Sequence, residues 1–243
     1  MKSQSFNNSI RLLSFLLVLF LISNTFAQQT IKASDILKDI KKRKTISYEN
    51  VTVTGILDMT YMDDKLPDLP KKHKWYNNGG TNTVKETIES KILFVNCVFE
   101  GDVLAYIHDE DSKYTFTANF ENDVRFKNCQ FKRNAMFKYS DFEGNADFSD
   151  SKFEEDTTFK YTEFDNRVSF ENTVFEESAT FKYTKFKEGV SFKNARFEED
   201  LNFKYTKVRG TFNIDGMKVA HDVNSKYTDI NGKGFSKYLL ENN

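Results

Sequence analysis

The chain has 243 residues, with 35 Lys and Arg against 36 Asp and Glu and a formal net charge of −1. That near-balance argues against strong nucleic-acid binding, which asks for a basic face, and one domain suffices for the length. The three histidines (His73, His108, His221) are scattered, and no nucleophile–base spacing or metal-ligand cluster is seen, so no catalytic residue, metal or cofactor is expected.

Residues 1–27 carry Lys2 and Arg11, an apolar run from Leu12 to Ile22, and the small-residue site Thr25-Phe26-Ala27. This pattern reads as a secretory signal peptide, too short to span a membrane, and no Cys near the site points to a lipid anchor. The mature chain, 28–243, is then exported to the periplasm, the cell surface or the medium, and is slightly more acidic. Residues 28–45 form the next unit, a helical cap. Ser34 is expected to cap the helix with Asp35 near its positive end, and Ile36, Leu37 and Ile40 share one face.

An apolar beat starts weakly at Ile46, Val51 and Leu57 and then breaks over 63–87. That stretch holds both prolines (Pro67, Pro70), the sole tryptophan (Trp75) and the turn signal Asn77-Asn78-Gly79-Gly80. The beat resumes at Ile88, Phe94 and Phe99, and a second break covers about 105–116. From Val124 to Val223 the rhythm is strict. Phe126, Phe131, Phe137, Phe142, Phe148, Phe153, Phe159, Phe164, Phe170, Phe175, Phe181, Phe186, Phe192, Phe197 and Phe203 alternate steps of five and six, and Phe-Lys-Tyr-Ser/Thr recurs at 137, 159, 181 and 203. It fades through Val208, Ile214, Val219 and Ile230. Residues 231–243, with Phe235 to Leu240, are expected to form a C-terminal cap.

Steps of five and six fit neither a helical face nor plain strand alternation. The chain must turn once per step. The slot two residues before each Phe is small or apolar (Val124, Ala146, Val168, Val190 in one column; Ser140, Thr162, Thr184, Thr206 in another), and the slots between are polar. Four short strands per 22 residues therefore stack into a parallel β-solenoid whose coils lie about 4.8 Å apart.

Units such as Ala146-Asp147-Phe148-Ser149-Asp150 and Ala195-Arg196-Phe197-Glu198-Glu199 resemble pentapeptide repeats, over roughly residues 46–230. The resemblance implies an all-β fold, a right-handed parallel quadrilateral β-helix, here with short helical caps at both ends and an insertion at 63–87. This chain departs by one extra residue in every second step, which widens two of the four corners. The family has no shared active site, so the resemblance carries no catalytic residues. Some members mimic duplex nucleic acid and block topoisomerases, but those surfaces are strongly acidic.

Four surface features are candidates. His73, Lys74, Trp75 and Tyr76 in the insertion suit stacking of a sugar or contact with an anion, or pack as an extra cap over the first coils. Glu154, Glu176, Glu198 and Glu155, Glu177, Glu199 stack like charges, which a hard cation or simple solvation would relieve. Lys138, Lys160, Lys182, Lys204 and Lys226, each followed by Tyr139, Tyr161, Tyr183, Tyr205 and Tyr227, form a ladder that either covers the core edge or presents a basic aromatic face. Cys97 and Cys129 sit in matching contexts 32 residues apart; a disulfide and a pair of buried thiols both fit. The leading functional reading is an exported, non-enzymatic interaction scaffold with an unidentified protein or glycan partner. A nucleic-acid mimic and a carbohydrate-active β-helix enzyme are the alternatives.

Overall fold

The computed structural model describes residues 29–70 and 82–242. Residues 1–27, read above as a signal peptide, and the candidates His73, Lys74, Trp75 and Tyr76 lie outside the described residues.

The chain winds into coils with four short sides, and each side stacks on the equivalent side of the next coil. Val124–Lys127, Gln130–Phe131, Ala135–Met136 and Asp141–Phe142 are the first to fourth sides of one coil. Stacking the sides makes four sheets, parallel throughout except for one hairpin strand. In the regular region the register shift is 22 residues, as in Val124↔Ala146, Phe131↔Phe153 and Phe142↔Phe164. Backbone bonds of normal length join the coils, for example from Phe170 N–H to Ser191 C=O at 2.8 Å.

Every phenylalanine of the beat points inward and is buried, and the rings stack along the axis. On the first side Phe126, Phe148, Phe170 and Phe192 follow one another at 5.8, 5.1 and 5.2 Å between centroids. On the second, Phe131, Phe153, Phe175 and Phe197 do so at 4.4, 5.0 and 4.7 Å. Rings on the opposite first and third sides meet edge to face, as Phe159 and Phe170 do at 5.1 Å and 73°. Both geometries are the ones that the ring quadrupole favours. Phe116, in the second break, is also fully buried, apart from this continuous core.

A second internal ladder lines the core. Ser151, Thr162, Thr173, Thr184, Thr206 and Thr228 are buried, and each hydroxyl donates to a Phe carbonyl 25 positions earlier, at 2.6–2.9 Å. These bonds satisfy hydroxyls that could not otherwise be buried without cost.

The corners alternate. Asn128, Tyr139, Asp150, Tyr161, Asn172, Tyr183, Asn194, Tyr205, Gly216 and Tyr227, eleven residues apart, have positive φ. They make the five-residue steps tight. The six-residue steps turn without such a residue except at Gly189 and Gly210, so two opposite corners are tight and two are wide. The tight corner after the first side uses Asn, Asp or Gly, which tolerate this conformation. Its side chains also join successive coils, for instance from Asn128 Nδ2 to Asn96 Oδ1 at 2.7 Å.

The ends differ from the sequence expectation in detail. Gln29–Lys32 is a strand, pairing with Val51–Thr54, and runs directly into helix α1, Ala33–Lys41. Ser34 is therefore inside the first turn and does not cap it; Lys32 holds the cap position, with no side-chain bond. Ala33, Ile36 and Ile40 of α1 are buried over the first coils. The helix closes with Arg43 N–H on Ile40 C=O and Lys44 N–H on Asp39 C=O, with Arg43 at φ 57°, the pattern of a Schellman stop. At the other end α3, Phe235–Asn242, lays Phe235 and Tyr238 on Phe212, and Tyr238 Oη donates to Phe212 C=O at 2.6 Å. None of the described helices is long and apolar enough to cross a membrane.

Neither break is a plain loop. The first opens with helix α2, Met62–Lys65, and a 3-10 turn, Leu66–Asp68. Asp58 holds its start, accepting from Thr60 N–H and Met62 N–H. The solenoid resumes at Thr83, and Thr83–Ile88 pairs along its whole length with Thr115–Phe120. The second break is a hairpin, with Tyr106–His108 antiparallel to Thr115–Thr117.

The ring stack implies a large effect of truncation. Phe170→Ala removes a ring from the middle of the first-side column and is expected to lower stability by about 3–5 kcal/mol. Chemical denaturation of parent and variant measures this, and coincident curves would contradict the inward packing.

Candidate functional site

The tight corner between the third and fourth sides is built from one recurring pentad, Thr-Phe-Lys-Tyr-Thr in two of its copies. In the copy at 158–162, Thr158 Oγ1 accepts from Lys160 N–H at 3.2 Å, and Thr162 N–H donates to Phe159 C=O at 3.1 Å. These bonds close a four-residue turn with Tyr161 third, at φ 60°. The turn resembles type II, where that place normally goes to Gly or Asn. Tyr161 N–H then donates to Lys182 C=O at 3.0 Å in the next coil. Thr180, Asn202 and Asn224 support Lys182, Lys204 and Lys226 as Thr158 supports Lys160. The inward Phe and the buried Thr anchor each turn, leaving Lys and Tyr on its outer side.

The tyrosines form a continuous stack. Tyr139, Tyr161, Tyr183, Tyr205 and Tyr227 lie 4.9, 4.6, 4.6 and 4.8 Å apart, nearly coplanar in orientation, with Tyr106 tilted against Tyr139 at 5.9 Å. The Lys160, Lys182, Lys204 and Lys226 ammoniums sit 5.0–5.3 Å from the centroid of the ring that follows each, within cation–π range. Lys138 lies 4.5 Å from the Tyr106 ring and donates to its hydroxyl at 3.1 Å. Tyr227 is 61% exposed and Tyr139 40%. Because inner rings cover one another's faces, the ladder presents ring edges, phenol hydroxyls and ammoniums.

A left-handed conformation costs a non-glycine residue about 1–2 kcal/mol, and stacking an aromatic pair returns about 0.5–1.5 kcal/mol. The two nearly cancel. The opposite tight corner turns equally well on Asn and Asp, so folding alone does not call for tyrosine five times over. An outlier of this kind, repeated at one edge of the molecule, is evidence for a surface role.

Beside the ladder the third side is uncharged. Met136, Thr158, Thr180 and Asn202 floor a shallow groove of about 360 Å³, whose far wall carries Asp156 and Asp200. The fourth side, on the other flank, is internally neutralised: Lys185 bonds Glu163 at 2.7 Å, Lys187 bonds Asp165 at 2.8 Å, and Arg209 bonds Asp229 at 2.7 Å. Lys185 and Lys187 hold the Glu163 carboxyl below its ordinary range.

The glutamate columns behave differently from a bare like-charge stripe. Lys152 bridges Glu154 and Glu176, at 3.3 and 2.8 Å. Arg196 binds Glu198 at 2.6 Å, His221 Nδ1 lies 2.7 Å from Glu199, and Arg133 is 3.9 Å from Glu155. Gln130 and Lys152 hold Glu154 below the usual carboxylate range. Lys152, Arg196 and Arg133, interleaved from neighbouring slots, relieve part of the repulsion that a bound cation was invoked to relieve; Glu177 has no such partner among the described residues. Among the described residues no group of three or more His, Cys, Asp or Glu is placed to hold a metal.

Cys97 and Cys129 stack in adjacent coils as free, buried thiols. They occupy the slot that Ser151 and Thr173 fill higher in the same column, and Cys129 Sγ lies 3.6 Å from Phe94 C=O. Burial pushes the Cys129 thiol well above its ordinary value.

The two breaks meet. Leu66, Pro67, Leu69 and Pro70 face Asp109, Asp111, Ser112 and Tyr114 across a pocket of about 410 Å³, and Tyr114 Oη donates to Pro70 C=O at 3.2 Å. The sequence marks both segments as interruptions, but only the pairing of Thr83–Ile88 with Thr115–Phe120 reveals that they are neighbours.

Two overlapping stretches, residues 116–163 and 159–207, match the family model described as pentapeptide repeats (9 copies). They coincide with the regular four-sided coils, so residues 116–207 of the solenoid are similar to pentapeptide repeats. Searches of curated proteins and of solved structures return no match.

The strain argument has a direct check. Tyr183→Asn keeps a residue suited to positive φ, whereas Tyr183→Ala keeps the conformational cost and deletes the stack. The Asn variant is expected to be the more stable of the two by about 1 kcal/mol, read from denaturant midpoints. An Ala variant as stable as the Asn variant would remove the case for strain.

Proposed function

We propose that the protein is an exported, non-enzymatic interaction scaffold whose contact surface is the Lys–Tyr ladder with the neighbouring uncharged third side. The observation that carries the reading is the repeated placement of tyrosine at positive φ along one exposed edge. The similarity of residues 116–207 to pentapeptide repeats, which build scaffolds, supports the same reading. Export rests on the charged start, apolar run and small-residue site of residues 1–27. A duplex mimic would need a continuous negative face, and the pairing of Glu154, Glu176 and Glu198 with cations breaks one up. A carbohydrate-active enzyme would need a groove supplied by loops. The pocket between the two breaks is the best match to that, and it favours a second contact region at residues 66–70 and 109–114.

The test is a binding screen of the purified protein against defined neutral glycans, acidic glycans and cell-envelope proteins. It is run beside a variant carrying Tyr161→Asn, Tyr183→Asn and Tyr205→Asn. The variant is expected to keep its circular dichroism spectrum and to lose the parent's binding. Undiminished binding by the folded variant would overturn the assignment of the surface, and finding the protein only in the cytoplasm on cell fractionation would overturn export.

A further inference from the structure

Resting on that reading of the ladder, we infer that the ligand is a linear acidic polysaccharide laid along the solenoid axis, with its acid groups distributed along the file of lysines. The first reason is spacing. The tyrosine rings recur at 4.6–4.9 Å, and one lysine accompanies each ring. The surface thus offers a straight row of like charges at strand spacing. A chain of uronic acid sugars carries one carboxylate per residue at a repeat of the same order.

The second reason is charge accounting. Like charges opposed across neighbouring strands repel, and at several other places on the regular coils the structure relieves this with interleaved partners. Lys152, Lys185, Lys187, Arg196 and Arg209 all reach carboxylates. Among the described residues, Lys160, Lys182, Lys204 and Lys226 pair with no carboxylate, although four of them stand in file. Acids of the fourth side are engaged with other groups: Asp141 accepts from Asn119 Nδ2 at 3.0 Å, Glu163 binds Lys185 and Lys187, and Asp229 binds Arg209. The Lys160 ammonium is lowered by partial burial and by the Lys138 and Lys182 charges on either side. A polyanion would supply the missing partners for the whole file at once, through charge-assisted hydrogen bonds.

The third reason separates sugars from nucleic acid. Proteins that hold single strands stack bases on aromatic faces. Here the inner tyrosine faces are covered by one another, so no base can enter. What remains outward are phenol hydroxyls, and those of Tyr161, Tyr183, Tyr205 and Tyr227 have no partner among the described residues. Hydroxyls beside ammoniums suit a polymer that carries both hydroxyls and carboxylates. The acidic far wall at Asp156 and Asp200 would repel a broad polyanion such as a duplex, while a single narrow chain can keep to the ladder.

The experiment uses polygalacturonate, with neutral dextran and oligothymidylate as comparators, on the purified protein at low and high salt. Two triple variants are compared with the parent: Lys160→Gln, Lys182→Gln, Lys204→Gln on the ladder, and Lys132→Gln, Lys193→Gln, Lys218→Gln elsewhere. The parent is expected to bind polygalacturonate and not dextran, more weakly as salt rises. The ladder triple should lose about tenfold or more in affinity, while the other triple, of equal net charge, changes by no more than about twofold. Melting curves establish that both variants fold. The inference is overturned if polygalacturonate is held no better than dextran, if both triples lose affinity equally, or if oligothymidylate binds as tightly with the same lysine dependence. In any of these cases a ladder-dependent neutral glycan or protein from the earlier screen would leave the scaffold reading standing. A ladder on which no binding depends would remove both.

Discussion

Four phenyl rings meet at the centre of each regular coil, and every other feature of the solenoid follows from keeping them in file. Phe148, Phe153, Phe159 and Phe164 stack on Phe170, Phe175, Phe181 and Phe186 in the coil that follows. A single coil has no interior of its own; its rings are buried only when another coil covers them. The hydroxyl ladder and the backbone bonds between coils fix the register, and the tight corners at positive φ fix where the chain turns. Both ends of the stack would leave core side chains exposed, aliphatic at the start and aromatic at the finish, and there α1 and α3 lay apolar side chains across them.

Much of this was legible because the core uses one residue type at one spacing. The alternation of five and six marks four turns per 22 residues, and the structure places a sheet on each side. What stayed hidden depends on pairing. The strand Gln29–Lys32 shows no beat, since its partner Val51–Thr54 lies one coil on. The long strand Thr83–Ile88 and the hairpin at 106–117 look like interruptions until they are set side by side. The glutamate columns read as like charges because the cations that pair with them stand in other slots, two residues away in the case of Lys152 and Arg196. The conformation of the tyrosines was hidden for another reason: tyrosine carries no preference for positive φ. A signal was nonetheless present, because Tyr139, Tyr161 and Tyr183 alternate at eleven-residue spacing with Asn128, Asp150, Asn172 and Asn194, residues that do carry it.

The two tight corners perform the same folding task with different side chains, and this contrast connects the fold to function. At one, Asn and Asp turn the chain and join the coils at little cost. At the other, tyrosine holds the same conformation against its preference, its ring stacked and its neighbouring lysine without a carboxylate partner. Stability is served by the first arrangement. The second gives up part of that stability and gains an ordered row of hydroxyls and ammoniums on a rigid support, the kind of pre-organised surface on which little ordering entropy is lost when a ligand binds.

The central claim is that each 22-residue coil is an interchangeable unit stabilised by stacking on its neighbours. The most direct measurement is the thermal unfolding of a chain in which residues 159–180 occur twice in succession. Stability in such a stack grows with each added coil and interface. The lengthened chain should therefore unfold in a single cooperative transition at or above the parent's melting temperature. A broad or non-cooperative transition, or a clear fall in melting temperature, would contradict the account.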